Sequence, residues 1–288
     1  MAKIAVLGAT GVYGRHLVPR MIAAGHTVRA LVRRPEAAGV ALGCGAEVQT
    51  ADIFDPASIR RGIEGCDTSI NLATSLPGPS GRGDFAVNDR VRREGAPLWL
   101  EACQKAGVNR VIQQSIAMVN AADALVADEE TPASAIENVV SAAAVQATMD
   151  MEEAVRLSGL DWVILRGGLF YGPGTGFDDD WYARAKEGKL RAPKDGNEFV
   201  SLVHIADMAA ATLSALEQWP SRQAVIVCDD EPVRWKDLFA FVAKAAGGVE
   251  PGLGGRAGFP SFRTSNAKAK RLLDWTPFYR TYREGLVR

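Results

Sequence analysis

Short apolar runs alternate with longer amphipathic stretches along the first 166 residues. Runs at 4–7, 28–32, 69–73, 111–114 and 162–165 read as buried parallel strands, and 47–50 looks like a further strand. Between them, 16–24, 56–63, 96–106 and the Ala-rich 133–157 read as helices, the first and third closed by Gly25 and Gly107. This rhythm predicts an α/β fold, a doubly wound parallel sheet with helices on both faces. After Arg166 the pattern changes. The glycine-rich 167–176 is expected to form no regular element, 177–180 an acidic loop and 181–187 a short helix. A strand at 200–203, a helix at 205–216 and a strand at 224–227 follow. Then come an amphipathic helix at 233–246, best read as packing, and a short helix at 265–273. The expected division is a large domain of 1–166 to which 198–228 returns, and a smaller lobe of 167–197 and 229–288.

Composition narrows the function classes. The chain has 288 residues, 47% hydrophobic and 23% charged, with a net charge of −1, so no basic excess points to nucleic acid as the main ligand. Cys44, Cys66, Cys103 and Cys228 are far apart and form no metal-binding pair or disulfide framework, and the three histidines are scattered. No metal site is expected. The run at 4–7 is too short for a secretory signal, and no stretch approaches the ~18–20 apolar residues of a membrane span. A cytoplasmic protein without membrane contact is the expectation.

The strongest chemical signal is Gly8-Ala9-Thr10-Gly11-Val12-Tyr13-Gly14, directly after the first strand and opening a helix. Glycines permit a tight turn and close backbone approach to a pyrophosphate, and the helix N-terminus adds free amides and a partial positive charge. Gly8, Thr10, Gly11, Val12, Tyr13 and Gly14 are the expected pyrophosphate lining. The second strand ends Leu31-Val32-Arg33-Arg34-Pro35, where an NAD site usually places a carboxylate for the ribose hydroxyls. A guanidinium instead suits a 2′-phosphate, so Arg33, with or without Arg34, points to NADP(H).

These motifs and several others resemble the extended type of the short-chain dehydrogenase/reductase superfamily, the NAD(P)-dependent epimerase/dehydratase-like proteins. Ala51-Asp52-Ile53 matches the pair that flanks adenine, and Asn71-Leu72-Ala73 the strand end under the cofactor, with Thr74 following. Leu169-Phe170-Tyr171-Gly172-Pro173-Gly174 is similar to the family's V-Y-G-P-G, and Val203-His204-Ile205-Ala206-Asp207 to its V-H-V-x-D. Ala267-Lys268-Ala269-Lys270 with Leu273-Asp274-Trp275-Thr276-Pro277 resembles the C-terminal A-K-x-x-L-G-W-x-P. The resemblance implies a Rossmann-type sheet with a smaller C-terminal substrate lobe. It also implies cofactor contacts by Asp52, Ile53, Leu72, Ala73, Thr74 and Ser115, and a homodimer paired through 96–106 and 133–157.

One departure matters for chemistry. The family's proton relay uses Ser or Thr after the fifth strand and Tyr-x-x-x-Lys on the next helix, the Lys lowering the Tyr pKa. Ser115 fits the first position, but 120–156 contains neither Tyr nor Lys. The relay positions fall at Ala144 and Thr148, or one residue on at Val145 and Met149, and a family Asn is replaced near Arg92. Ser115 and Tyr171 remain as catalytic candidates, each with a bland alternative, backbone satisfaction for the first and packing for the second. Asp178-Asp179-Asp180 reads as a cation site or a solvated loop, Trp181 and Tyr182 as pocket wall or core, and His204 with Asp207 as a structural tie.

Three functions follow. The first is an NADPH-dependent reductase of a small organic substrate without the usual relay, where an electron-poor or cationic acceptor would need less acid catalysis. The second is a non-catalytic NADP(H)-binding sensor or interaction protein. The third, a sugar-nucleotide epimerase or dehydratase, needs the strong base that is missing.

Overall fold

The structure is a computed structural model that describes residues 1–79, 81, 83–122, 125–132 and 141–287. Six strands build most of the central sheet: β1 (Lys3–Leu7), β2 (Thr27–Val32), β3 (Glu47–Thr50), β4 (Thr68–Asn71), β5 (Arg110–Ile116) and β6 (Asp161–Gly167). The helices that cover it are α1 (Val12–Ala23), α2 (Gly39–Gly43), α3 (Pro56–Ile63), α4 (Phe85–Arg90), α5 (Ala96–Ala106) and α6 (Ala142–Leu157), and a π turn at Val91–Gly95 joins α4 to α5. The predicted helix over 133–157 is thus seen from Ala142, and its positions 133–140 lie outside the described residues. α1 begins four residues earlier than the periodicity suggested, because its first turn continues the glycine loop.

Beyond β6 come β7 (Leu169–Tyr171), α7 (Phe177–Lys186), β8 (Arg191–Pro193), β9 (Phe199–Val200) and β10 (Leu202–His204). α8 (Ile205–Gln218), β11 (Gln223–Val227), β12 (Val233–Arg234), α9 (Trp235–Ala246), β13 (Gly252–Gly255), α10 (Ala267–Leu273) and α11 (Tyr282–Gly285) complete the chain. β11 joins the main sheet, whose order is β11-β6-β5-β4-β1-β2-β3 with every pair parallel. The order reverses between β1 and β4, where Leu7 pairs with Asn71 on one side and Leu31 on the other. Open parallel sheets bind ligands outside the carboxyl ends of the strands at such a reversal.

Alternating residues of each strand feed two cores. Ile4, Val6, Ile70, Ile112 and Leu165 face α1 and α8, while Ala5, Leu7, Val111 and Ile164 face α3 and α5 with Trp99. A third cluster gathers Trp181, Trp235, Phe239, Phe262 and Tyr282.

Four expectations are corrected. Segment 169–171, expected to be irregular, is a strand paired in parallel with β10, since its apolar triplet finds a partner 33 residues later. The acidic 177–180 is not a loop but the first turn of α7, where three carboxylates meet the positive end of the helix. The strand expected at 200–203 is interrupted at Ser201, whose carbonyl accepts from Leu169 N at 2.9 Å. Residues 233–234 belong to a short antiparallel pairing with β9 before α9 starts.

Among the described residues, no helix is long and apolar enough to cross a membrane, and no group of His, Cys, Asp and Glu is arranged to hold a metal ion.

Candidate functional site

The glycine loop turns immediately under the sheet reversal. Gly8 has φ +77°, and a Cβ there would stand 2.8 Å from the Leu72 carbonyl carbon, so only glycine lets the loop lie against the end of β4. Gly11 starts α1 with no side-chain cap, and the first turn holds no acid. The amides of Val12, Tyr13 and Gly14 therefore carry the positive end of the helix with no carboxylate to quench it. A Cβ on Gly14 would collide with the Ala9 backbone, which fixes the angle at which α1 leaves the loop.

Around this turn runs a crevice of about 220 Å³, lined by Gly8, Thr10, Gly11, Arg33, Ile53, Leu72, Ala73 and Thr74 of the expected residues. Arg33 is exposed at the end of β2 and, among the described residues, makes no ion pair or hydrogen bond. Arg34 is exposed and does not line the crevice. The Asp52 carboxylate is turned onto Phe54 N at 2.9 Å, so it shapes the loop after β3 while Ile53 supplies the wall. Asn71 accepts from Ala73 N at 3.0 Å and donates to Gln113 at 3.0 Å, holding the chain over the crevice floor. Glycines that a Cβ would close, an unquenched helix start and an exposed guanidinium at the rim fit a dinucleotide.

At the end of β5, Ser115 is fully buried and its hydroxyl donates to Glu152 Oε1 at 2.6 Å. Glu152, on α6, is 2% exposed and receives Arg166 through two bonds of 2.9 and 2.6 Å, and Arg156 at 2.7 Å. Arg166 also donates to Asn120 Oδ1 at 2.7 Å. Burial alone would raise the Glu152 pKa, but the Arg166 bonds and charge outweigh it and hold the carboxyl below its usual range. The two positions counted as relay positions lie on α6. Ala144 is buried, and the Thr148 hydroxyl is spent on the Ala144 carbonyl at 2.7 Å. That carbonyl also accepts from Arg92 Nη1 at 2.7 Å. In the alternative register Val145 is buried and Met149 is exposed, and neither carries a proton to give.

Two expected side chains stand elsewhere. The Tyr13 phenol points away from the crevice into the core, bonded to Thr212 and packed edge-on against Phe170, and burial pushes its pKa up. Only the backbone of Tyr13 faces the loop side. Tyr171 is fully buried in the third cluster against His204, its hydroxyl has no partner among the described residues, and it does not line the crevice. Burial, reinforced by Asp229 and Asp207, pushes the Tyr171 pKa up, so its phenol is a packed group rather than a proton donor at the crevice. The His204 ring caps α8 by accepting from Ala206 N, and burial lowers its pKa to about 4. Asp207 accepts from Phe278 and Tyr279 amides at 3.0 and 2.9 Å, tying α8 to the C-terminal segment. Trp181 and Tyr182 are core residues of the third cluster.

Several residues of the site escaped the sequence reading. Phe54, Ser75, Val87 and Val91 line the crevice, and the last two, four apart, had the helical spacing that marks one face. Tyr13 likewise shares a face with Leu17 and Met21, a spacing that places its ring in the core. Arg166 and Asn120 carried no local signal.

Comparison with known proteins agrees with this geometry. Residues 8–218 match the family described as NAD(P)H-binding. A 3-diazoavenalumate denitrifying reductase from a Streptomyces species is 31% identical over 99% of both chains. A ceramide reductase from Caulobacter vibrioides is 27% identical over 98% of this chain and 88% of its own. Among solved structures, a UDP-glucose 4-epimerase from Thermotoga maritima superposes with a TM-score of 0.80 at 22% identity, covering 99% of this chain and 96% of that one.

Proposed function

The chain belongs to the NAD(P)H-binding family, and we propose that it is an NADPH-dependent reductase in the epimerase/dehydratase-like branch of the short-chain dehydrogenase/reductase superfamily, acting on electron-poor small molecules, diazo compounds first among them. One observation carries this reading. At the relay positions stand Ala144 and a Thr148 whose hydroxyl is committed to a carbonyl, and the Ser115 proton is committed to Glu152.

The reaction that suits such a site takes up hydride and no proton. An aryl diazonium accepts a hydride at carbon while the carbon–nitrogen bond breaks and its electron pair leaves with dinitrogen. The charge balances without an acid. A ketone, by contrast, gains a proton on oxygen as well, and there a positioned acid contributes about 10²–10⁴-fold. The 31% identical relative is named for removal of nitrogen from a diazo compound, which supports the same chemistry here.

The residues divide the work. Gly8, Thr10 and Gly11, with the amides of Val12, Tyr13 and Gly14, hold the pyrophosphate. Arg33, with Arg34 nearby, takes the 2′-phosphate. Ile53 would border adenine, on the loop that Asp52 shapes, and Leu72, Ala73 and Thr74 would lie under the ribose and nicotinamide side. When bound, the dihydronicotinamide supplies hydride. Ser115, its proton turned to Glu152, offers lone pairs rather than an acid and orients what sits beyond β5.

The test uses aryl diazonium salts with NADPH carrying deuterium at C4, followed by the same reaction with ordinary NADPH in D₂O. Dinitrogen release matched to NADPH consumption, with deuterium in the arene only from the cofactor, is the expected result. Solvent deuterium in the product, or tight NADPH binding with silence on diazo, imine, enone and carbonyl acceptors alike, would refute it; the latter favours a sensor.

A further inference from the structure

Arg92 sits on the π turn at Val91–Gly95 and is only 2% exposed. Single π turns inside helices recur at functional positions because the extra residue re-aims a side chain. Here the turn carries a guanidinium beneath α6. Its Nη1 donates to the Ala144 carbonyl at 2.7 Å, the carbonyl that also receives Thr148 Oγ1. Its Nη2 is buried and, among the described residues, has neither an acceptor nor a carboxylate within ion-pair distance, although Asp89 and Glu152 lie near enough to act on its charge through space. Burial lowers its pKa to about 10, which leaves it charged at neutral pH.

A buried cation without a counter-ion is costly unless a ligand completes it. Arg92 does not itself line the crevice, but its neighbours along the chain do. Val91, the preceding residue, and Val87 line the crevice. Asn88, one helical turn before Arg92, accepts from the amide of Ser75, another lining residue, at 3.2 Å. Beside it Glu152 is already matched by Arg166 and Arg156. Asp89, half-buried, acts on Arg92 without bonding it, and Ala144 and Thr148 are both small.

We propose that Arg92 is the anchor for an anionic oxygen of the substrate, so that this chain selects small organic anions such as aryl carboxylates or phenolates. Nη1 on Ala144 fixes the plane of the guanidinium, and Nη2 is the donor left for the ligand. The inference rests on the reductase reading for what reacts, but the binding it asserts is separate from turnover.

Binding is measured on the NADPH-loaded protein with the unreactive pair benzoate and benzamide. Benzoate is expected to bind roughly ten- to a hundredfold more tightly than benzamide, the range of one hydrogen bond to a charged group. Arg92→Met is expected to erase that preference while leaving NADPH affinity unchanged. Arg92→Lys keeps the charge with a shorter reach and other geometry; it is expected to fold and to retain only part of the preference. An undiminished preference in both variants, no preference in the unmodified protein, or an equal loss of NADPH affinity, which would assign the guanidinium to the cofactor ribose, would each overturn the proposal. If the preference behaves as expected but no acceptor is turned over, the reductase reading fails and the anion anchor stands.

Discussion

The Ser115 hydroxyl points its proton at Glu152, 2.6 Å away, and Glu152 is itself gripped by Arg166 and Arg156. A serine in this state accepts hydrogen bonds and does not supply protons. The carboxylate that takes its proton is the hub that joins β5, α6 and β6.

Removing that hub exposes its cost. Glu152→Gln leaves Arg166 buried without a counter-ion, and a loss of about 3–5 kcal/mol of unfolding free energy is expected. Because the folded pKa of Glu152 is depressed, its contribution is complete above the usual carboxylate range and fades as pH falls through the lower folded value. Urea unfolding at a series of acidic pH values should show this acid-side loss in the parent and a shallower one in Glu152→Gln. Parallel curves for the two proteins would contradict it.

Gly11 tests the pyrophosphate site with little steric disturbance. Its φ is −69°, and a Cβ would meet only the Gly8 carbonyl, at 3.2 Å. Gly11→Asp should fold, yet place a carboxylate at the helix start where the phosphates rest. At least a roughly tenfold loss of NADPH affinity is expected from charge repulsion and lost helix-terminus stabilisation. Titration by cofactor fluorescence, with circular dichroism as the folding control, decides it.

Arg33 is unpaired at the crevice rim, so its replacement disturbs little else. Arg33→Ala is expected to weaken NADPH roughly ten- to a hundredfold and NADH hardly at all. Equal losses for both cofactors, or a parent protein that prefers NADH, would remove the 2′-phosphate role.

Thr148 bonds only the carbonyl four residues before it. Thr148→Val should keep turnover within about fivefold, far from the 10²–10⁴-fold expected of a proton-transfer group. A dead variant with normal NADPH affinity would return the chemistry to α6.

Tyr171 carries a buried hydroxyl with no partner, pressed close to Gly285. Tyr171→Phe removes an unsatisfied group and keeps the ring against His204. Thermal unfolding should show unchanged or raised stability, by up to about 1–3 kcal/mol, the range of an unsatisfied buried polar group. Turnover should stay at the parent level; a large fall would restore the relocated phenol.

The sequence alone determined the features that depend on near neighbours. Apolar runs and helical spacing marked the strands and helices around the nucleotide crevice. The interval from Gly8 to Gly14 specified the loop, and Arg33 at the end of the second strand specified the charge at the rim. Each is set within a few residues, by backbone sterics, side-chain period and burial on one face. Tertiary structure decided what required distant parts to meet. Leu169–Tyr171 became a strand because Leu202–His204 lies beside it. The Tyr13 phenol turned to Thr212, 199 residues away, instead of to the loop that carries it. Ser115 donates its hydroxyl hydrogen bond to a residue 37 positions later, and Arg92 reached a carbonyl 52 positions later. Such pairings follow from how far each helix is rotated and where the sheet brings the strand ends, and no local pattern encodes them.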